Sequence, residues 1–395
     1  MVGQVYRYSF EQPHRLDPTP LYARLRSDEP IARVQTPFGR EAWLVTRYDA
    51  VKAVLSDLRF SRALAVGPDT PRRGRNWARA EAVISLDPPA LTRVRRLLTP
   101  TFAMPNVKRL RPRVEMFVAG LLDDLANHGP PADLVQILTR RAPVKVICAV
   151  LGIPYDDRGE FGAFPQLIMS TGNAKAKESM LDYLHGLIAE RRARPTGDLF
   201  SSLVREADSG GRITEDELAA LGENLVANGY ETMANEIANF VYLLLTHPDQ
   251  LAWLRADLSR LPTAIEELMR FVPLAAGAPG AGGHARVATA DIDVDGMTIA
   301  AGDAVLPAIT SANRDERIFA EPDRLDLNRA HNAHLTFGHG PHHCLGARLA
   351  RMEFHVILTG LLSRFPTLRL ALHPDDVPWK TGHIQRGPAE LLVAW

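Results

Sequence analysis

Apolar positions recur along the chain with two different periods, and the switch between them lays out the fold. Near the N-terminus IARVQ and AWLVT flank Thr36-Pro37-Phe38-Gly39-Arg40. Alternating β-branched and apolar residues around a Pro/Gly break predict a β-hairpin. After it a helical period dominates. VEMFVAGLLDDLANHG, VKVICAVLGIP and MLDYLHGLIAERRARP each close on Gly or Pro and are predicted to be helices. Asp87-Pro88-Pro89 places a capping carboxylate before two prolines that a first helical turn tolerates, ahead of Arg93, Arg95 and Arg96. A longer helix opens on the capping-box pattern Thr214-Glu215-Asp216-Glu217 and stays periodic to His247-Pro248. About thirty residues at 1.5 Å each span ~45 Å, enough to cross a domain. Between Ala285 and Ile309, β-branched runs broken by Asp295-Gly296 and Ala301-Gly302 predict a small sheet. Ser311 to His334 is polar and poorly periodic; a Gly- and His-rich loop follows, then an apolar helix from near Leu345. With no repeat, low-complexity tract or linker, residues 1–395 read as one mainly α domain with a small β portion.

Composition narrows the function. The 395 residues carry 46 basic and 46 acidic side chains, with 46 % hydrophobic and 23 % charged positions, as in a soluble globular protein. Such a chain has volume for a closed core around a cofactor. Balanced charge argues against a general nucleic-acid binder but leaves room for a local basic patch. MVGQVYRYSFEQPHRLDP lacks a charged-then-apolar signal pattern, and no run approaches ~20 apolar residues, so neither export nor membrane spanning is expected. Two cysteines, Cys148 and Cys344, cannot build a disulfide framework. The expected setting is cytoplasmic.

Chemistry concentrates in Phe337-Gly338-His339-Gly340-Pro341-His342-His343-Cys344-Leu345-Gly346. Glycines there allow close backbone approaches. Cys344 stands where loop becomes helix, so free N–H groups and the positive helix end can favour a thiolate. A lone thiolate held by N–H donors suits one soft metal bound axially, such as haem iron. Cys148, inside apolar VKVICAVLG, reads as a small buried hydrophobe. A zinc site from His331, His334, His339, His342, His343 and Cys344 matches no common finger spacing. A cysteine nucleophile with a histidine base is a chemical alternative without independent support.

The loop resembles the haem-binding loop of cytochromes P-450, Phe-Gly-x-Gly-x-His-x-Cys-x-Gly, at every fixed position. The resemblance implies a single-domain cytochrome P-450 fold and haem b as cofactor. It makes Cys344 the proximal thiolate, puts His342 on a propionate, and sets Phe337 and Gly346 against the porphyrin. Three other segments support it. Glu267-Leu268-Met269-Arg270 puts an acid and a base on one helix face and matches the family's Glu-x-x-Arg. Phe319-Ala320-Glu321-Pro322-Asp323-Arg324-Leu325 resembles the family's meander, and Arg324 is assigned as third member of a buried charge cluster, with Arg329 as substitute. Asn228-Gly229-Tyr230-Glu231-Thr232 places a glycine in mid-helix, where it costs about 1 kcal/mol relative to alanine. Tight helix packing is one explanation; the other is the family's oxygen-activation motif, in which Glu231 and Thr232 relay protons to dioxygen. Asn228 replaces the usual alanine. A fourth segment departs further: Leu91 replaces the family's propionate-binding histidine while Arg95 keeps the arginine, and Arg286 matches another propionate-binding arginine.

The resemblance implies a monooxygenase that takes dioxygen and two electrons to hydroxylate or epoxidise a small organic substrate. A macrolide, polyketide, terpenoid or cyclic-peptide intermediate is expected. Coupling, rearrangement or desaturation is the alternative chemistry, and a non-catalytic haem or gas sensor the alternative class. No nucleotide or flavin fingerprint is present, so a ferredoxin or flavodoxin with its reductase is the expected electron source. Arg93, Arg96, Arg348 and Arg351 are candidates for its docking patch. Substrate contacts are expected from Asn228, Gly229, Leu274, Ala275 and Ile384, and from the stretch between Ala63 and Leu86.

Overall fold

The computed structural model describes residues 4–8, 10, 15–72, 80, 82–153, 174–210, 213–274, 285–381, 383 and 385–395. Helices α1 (Leu21–Asp28), α2 (Tyr48–Ser56), α3 (Ala90–Leu98), α4 (Met104–His128), α5 (Arg141–Leu151) and α6 (Ala174–Ala193) occupy the first half. They are followed by α7 (Leu199–Gly210), α8 (Glu215–Thr246), α9 (Pro248–Arg255), α10 (Leu261–Phe271), the single turn α11 (Ile309–Ala312) and α12 (Ala347–Arg364). The strands are β1 (Tyr6–Arg7), β2 (Ile31–Gln35), β3 (Ala42–Val45), β4 (Phe60–Ser61), β5 (Ala132–Asp133), β6 (Arg286–Ala288), β7 (Ile292–Val294), β8 (Met297–Ile299), β9 (Ala304–Pro307), β10 (Arg369–Leu370) and β11 (Leu392–Ala394).

β2 and β3 form the hairpin that the alternation predicts, with Ile31 opposite Val45 and Val34 opposite Ala42. They belong to a six-stranded sheet of order β1-β2-β3-β9-β6-β4, so the stretch from Ala285 to Ile309, expected to form a small sheet, instead gives two of its strands to this larger one. β7 and β8 form a separate hairpin, and β10-β11-β5 a third sheet.

α8 starts where the capping box puts it. Thr214 Oγ1 accepts from the Glu217 N–H at 3.1 Å, and Glu217 Oε2 accepts from the Thr214 N–H at 2.8 Å. Its second half is buried on nearly every face, chiefly by apolar side chains but with Glu231, Asn235, Glu236 and Asn239 buried among them. Helices α3, α4, α5, α6, α7, α9, α10 and α12 all contribute to that core, while α2 packs with the sheet residues in a second cluster.

One local expectation is overturned. Asp87 does not cap α3, whose N-cap Pro89 has no side-chain partner. Its carboxylate turns instead to the end of β4, accepting from Ser61 Oγ and from the N–H groups of Arg62 (2.9 Å) and Ala63 (3.2 Å). Three donors converging from another segment outcompete one orphan N–H of its own helix.

Candidate functional site

The cysteine loop is a folded object rather than a tether. Gly338 and Gly340 take φ of 72° and 68°, a region that L-residues with side chains avoid. A Cβ at Gly340 would come within 2.7 Å of Ser56 Cα and 2.8 Å of Leu55 O, so the loop lies directly on α2. The Cys344 N–H donates to Phe337 O at 2.8 Å, closing the loop. From below, Glu266 receives a two-pronged Arg351 guanidinium at 2.6 and 2.7 Å, and a His334 contact at 3.1 Å. Burial alone would raise the Glu266 carboxyl; those two partners bring it down to about 2. The same Arg351 guanidinium stacks 4.6 Å from the Phe337 ring centre. Loop and helix are therefore braced against α10.

Cys344 is solvent-accessible, yet enough protein surrounds it for burial to push its thiol up. The N–H groups of Gly346 and Ala347 and the charges of Arg95 and Arg351 pull the other way without prevailing. Donors at the helix end are therefore present, and by themselves insufficient to make a thiolate. A Cβ on Gly346 would meet nothing within 4 Å, so the space beside the sulfur is open. Cys148, by contrast, is buried in the core.

Beside the sulfur lies a cationic pocket. Arg95 Nη1 donates to His343 O at 3.0 Å. Arg286 is 3 % exposed and Arg62 5 %. Burial, with the Arg62, Arg286 and Arg95 charges adding to it and Asp87 opposing, holds His342 down to about 4. The imidazole is neutral at physiological pH, and its buried Nε2 has no hydrogen-bond partner among the described residues. Burial likewise brings Arg286 down to about 10. Arg62 escaped the sequence reading, since nothing around it in the chain separates it from other arginines.

On α8, Asn228 is exposed and Gly229 and Thr232 are half-buried, between the buried Tyr230, Glu231, Met233 and Ala234. A Cβ at Gly229 would stand 3.3 Å from Ile147 Cδ1, so tight packing against α5 is part of the reason for this glycine. Thr232 Oγ1 donates to Asn228 O, and Asn228 Nδ2 to Asn224 O at 2.7 Å. Asn235, further along α8, is buried, donating to Gln385 Oε1 at 3.0 Å and accepting from Lys380 Nζ at 2.6 Å. Burial raises the Glu231 carboxyl, and the Lys380 and Arg140 charges only moderate it. His383 Nδ1 stands 3.9 Å from Glu231 Oε1. Lys380 and Gln385 approach from the chain end, a contact no local pattern announces.

The buried charge cluster forms, with one member corrected. Arg270 grips Glu267 at 2.7 and 2.8 Å, both side chains fully buried. The third cation is Arg329, whose Nε reaches Glu267 Oε2 at 3.0 Å; Asn332 Nδ2 and the Asp326 N–H add bonds of 3.0 Å each. Arg324 is not a member. Its side chain points to solvent and pairs with Glu321 at 2.7 Å, and only its carbonyl faces Arg270. Spacing along an irregular segment could not say which arginine turns inward.

Two of the four docking arginines are otherwise engaged: Arg351 with Glu266, and Arg93 with Glu217 at 3.0 Å. Arg96 and Arg348 are exposed. Leu274 is half-buried, its carbonyl accepting from the Arg386 N–H at 2.7 Å. Ala275 and Ile384 lie outside the described residues, as does part of the stretch from Ala63 to Leu86. Among the described residues no three His, Cys, Asp or Glu side chains cluster as a metal-binding group, and no helix is long and apolar enough to cross a membrane.

The family model for Cytochrome P-450 matches residues 171–383. Nocardicin C N-oxygenase of Nocardia uniformis subsp. tsuyamanensis is 46 % identical over 395 residues, 98 % of each chain. Mycinamicin IV hydroxylase/epoxidase of Micromonospora griseorubida is 41 % identical, again over 98 % of each. The crystal structure of the LnmA cytochrome P-450 hydroxylase of the leinamycin biosynthetic pathway of Streptomyces atroolivaceus S-140 superposes with a TM-score of 0.93 at 47 % identity, covering 99 % of this chain and all of the other. The chain belongs to the cytochrome P-450 family. It is a monooxygenase whose cofactor is haem b, acting on a small molecule with dioxygen and electrons supplied from outside.

The residues present fit haem b. An accessible single sulfur is backed by two N–H donors. A buried histidine nitrogen without a partner lies among cations that outnumber the acids facing them, as a carboxylate-bearing cofactor requires.

Proposed function

We propose that this monooxygenase hydroxylates or epoxidises an intermediate of specialised metabolism in the cytoplasm, with Cys344 as proximal ligand of the haem iron. The observation that carries this reading is the accessible Cys344 thiol in a braced loop, together with an accessible Asn228-Gly229-Thr232 face flanked on α8 by the buried Tyr230, Glu231, Met233 and Ala234. The relatives named for nocardicin C and mycinamicin IV support the substrate class. When bound, haem supplies two-electron activation of dioxygen. The chain's own residues do the rest. Gly346 and Ala347 offer N–H groups to the sulfur, and Phe337, stacked against Arg351, would pack beside the porphyrin. His342, Arg95 and Arg286 would hold the propionates. Thr232 keeps a hydroxyl proton that it can swing from Asn228 O toward the open side. Glu231, its carboxyl raised by burial, keeps its proton to higher pH than a free carboxyl and can donate it, and His383 stands 3.9 Å away as a neighbour able to exchange one. Asn228 and Leu274 contact substrate.

Turnover under isotopically labelled dioxygen tests the reading. One labelled oxygen atom in the product supports it; unlabelled product would favour coupling, rearrangement or desaturation, and no turnover a sensor. For the proton path, Thr232→Ala is expected to keep consuming reducing equivalents while product per electron falls about tenfold or more. Wild-type coupling would remove Thr232 from the path. Because Glu231 serves in its acid form, activity should decline as pH rises through its raised pKa, and Glu231→Gln should abolish that limb.

Electrons come from a ferredoxin or flavodoxin with its reductase, docking on Arg96 and Arg348. Reversing both to Glu should slow electron transfer from an acidic ferredoxin by about tenfold or more at low salt and flatten its salt dependence. Unchanged rates and slope would place the docking surface elsewhere.

A further inference from the structure

We infer that Lys380 is a positioning residue of the proton path, tied to α8 through the Asn235 amide so that its ammonium charge is held within electrostatic reach of Glu231; this rests on the reading of Glu231 as the acid of that path. Lys380 Nζ donates to Asn235 Oδ1 at 2.6 Å. Asn235 Nδ2 in turn donates to the Glu231 carbonyl at 2.9 Å and to Gln385 Oε1 at 3.0 Å. An ammonium can only donate and a main-chain carbonyl only accept, so these two partners fix which way the amide faces. One side-chain amide, 1 % exposed and with its oxygen and both hydrogens in use, thus joins the lysine to the turn of helix that carries Glu231. Such a fully paired buried group holds its members in one arrangement.

The chain end is shaped to bring the lysine there. The Lys380 N–H donates to Gly387 O at 3.1 Å, so the chain doubles back between them. Asn239 Nδ2, one turn past Asn235, donates to Arg386 O at 3.0 Å. A Cβ on Gly387 would stand 2.6 Å from Asn235 Oδ1, so a residue with a side chain would push the two segments apart. Four titratable groups face the Glu231 carboxyl among the described residues. Lys380 and His383 come from the chain end, Arg140 from the position before α5, and Tyr230 is its neighbour on α8. Tyr230 is neutral, and burial together with the Lys380 and Arg140 charges keeps His383 neutral at physiological pH. Two fixed charges are left, and Lys380 acts on Glu231 more strongly than Arg140 does. Burial favours the neutral form of both the carboxyl and the ammonium, and each charge favours the other.

An infrared pH titration of the purified holoenzyme, following the carboxyl C=O band that Glu231→Gln removes, tests this beside the pH profile of turnover. Without the ammonium Glu231 keeps its proton to higher pH. Lys380→Met is therefore expected to move both the band's titration and the declining limb of activity up by about half a pH unit or more. Lys380→Arg, which keeps a charge able to donate to Asn235, should stay within about 0.2 unit of wild type. Asn235→Ala should shift both in the same direction, and add nothing in the Lys380→Met background. A lysine that only props the chain end would cost stability and leave the titration where it was. If Glu231→Gln removes the limb while Lys380→Met moves neither band nor limb, the inference fails and the reading of Glu231 stands. If the limb survives in Glu231→Gln, that reading fails and the inference with it. A band that moves without the limb, or shifts of Lys380→Met and Asn235→Ala that add, also overturn the inference. Should Lys380→Met not fold, Asn235→Ala carries the test, and an unmoved band or limb in it overturns the inference.

Discussion

Cys344→Ser is expected to produce a protein whose reduced, carbon-monoxide-bound form lacks the far-red main band of a thiolate-ligated haem. Turnover should fall about a thousandfold or more, roughly 4 kcal/mol of transition-state stabilisation. A serine hydroxyl is a hard, weakly acidic donor, whereas thiolate sulfur is soft and pushes electron density onto iron. The surroundings sharpen the contrast. Burial pushes the Cys344 thiol up in the protein alone, so the anion is expected to form as the metal binds, with Gly346 and Ala347 N–H groups and the Arg95 and Arg351 charges assisting. Serine, needing a far stronger pull, would not ionise under the same assistance. Cys148→Ala is the control: it sits in the core and should leave the band in place. A Cys344→Ser enzyme with wild-type colour and turnover would end the assignment.

Glu267→Ala is expected to cost about 3–5 kcal/mol of stability, because it leaves the Arg270 charge buried with no counter-ion. Domains are held by only about 5–15 kcal/mol, so this variant should show a much lower urea midpoint and poor haem retention. Arg270 would keep its bonds to the Asn313 and Pro322 carbonyls at 2.8 and 2.9 Å, but carbonyl dipoles do not neutralise a buried charge. The two arginines nearby should separate cleanly. Arg329→Ala removes a largely buried donor bonded to Glu267 and the Ala320 carbonyl, and should cost about 1–3 kcal/mol. Arg324→Ala removes an exposed pair and should change stability by less than about 0.5 kcal/mol. The reverse ranking would restore Arg324 to the cluster.

That arginine shows where reading a chain stops. Glu267 and Arg270 are three apart on a helix, so helical geometry alone puts them side by side. The third cation comes from an irregular stretch, where spacing carries no direction and only packing against α10 decides which residue faces in. Asp87 failed for a related reason. Its capping position was locally plausible, but β4 arrives from distant sequence with three donors and takes both carboxylate oxygens. Local preference is worth about 1 kcal/mol at an N-cap, which such competition readily exceeds.

Elements whose cause lies within a few residues were therefore settled by the amino-acid order itself: the β2–β3 hairpin, the Thr214 capping box, the glycine-shaped cysteine loop and the Glu267–Arg270 pair. Their interactions close over short loops, and backbone sterics leave few alternatives. Only the tertiary structure decided what depends on distant segments meeting. It turned Asp87 to the end of β4, brought Lys380 and Gln385 to Asn235, and laid Arg351 over Phe337. Those encounters are governed by burial and by pairing of charge in three dimensions, and a linear pattern contains neither.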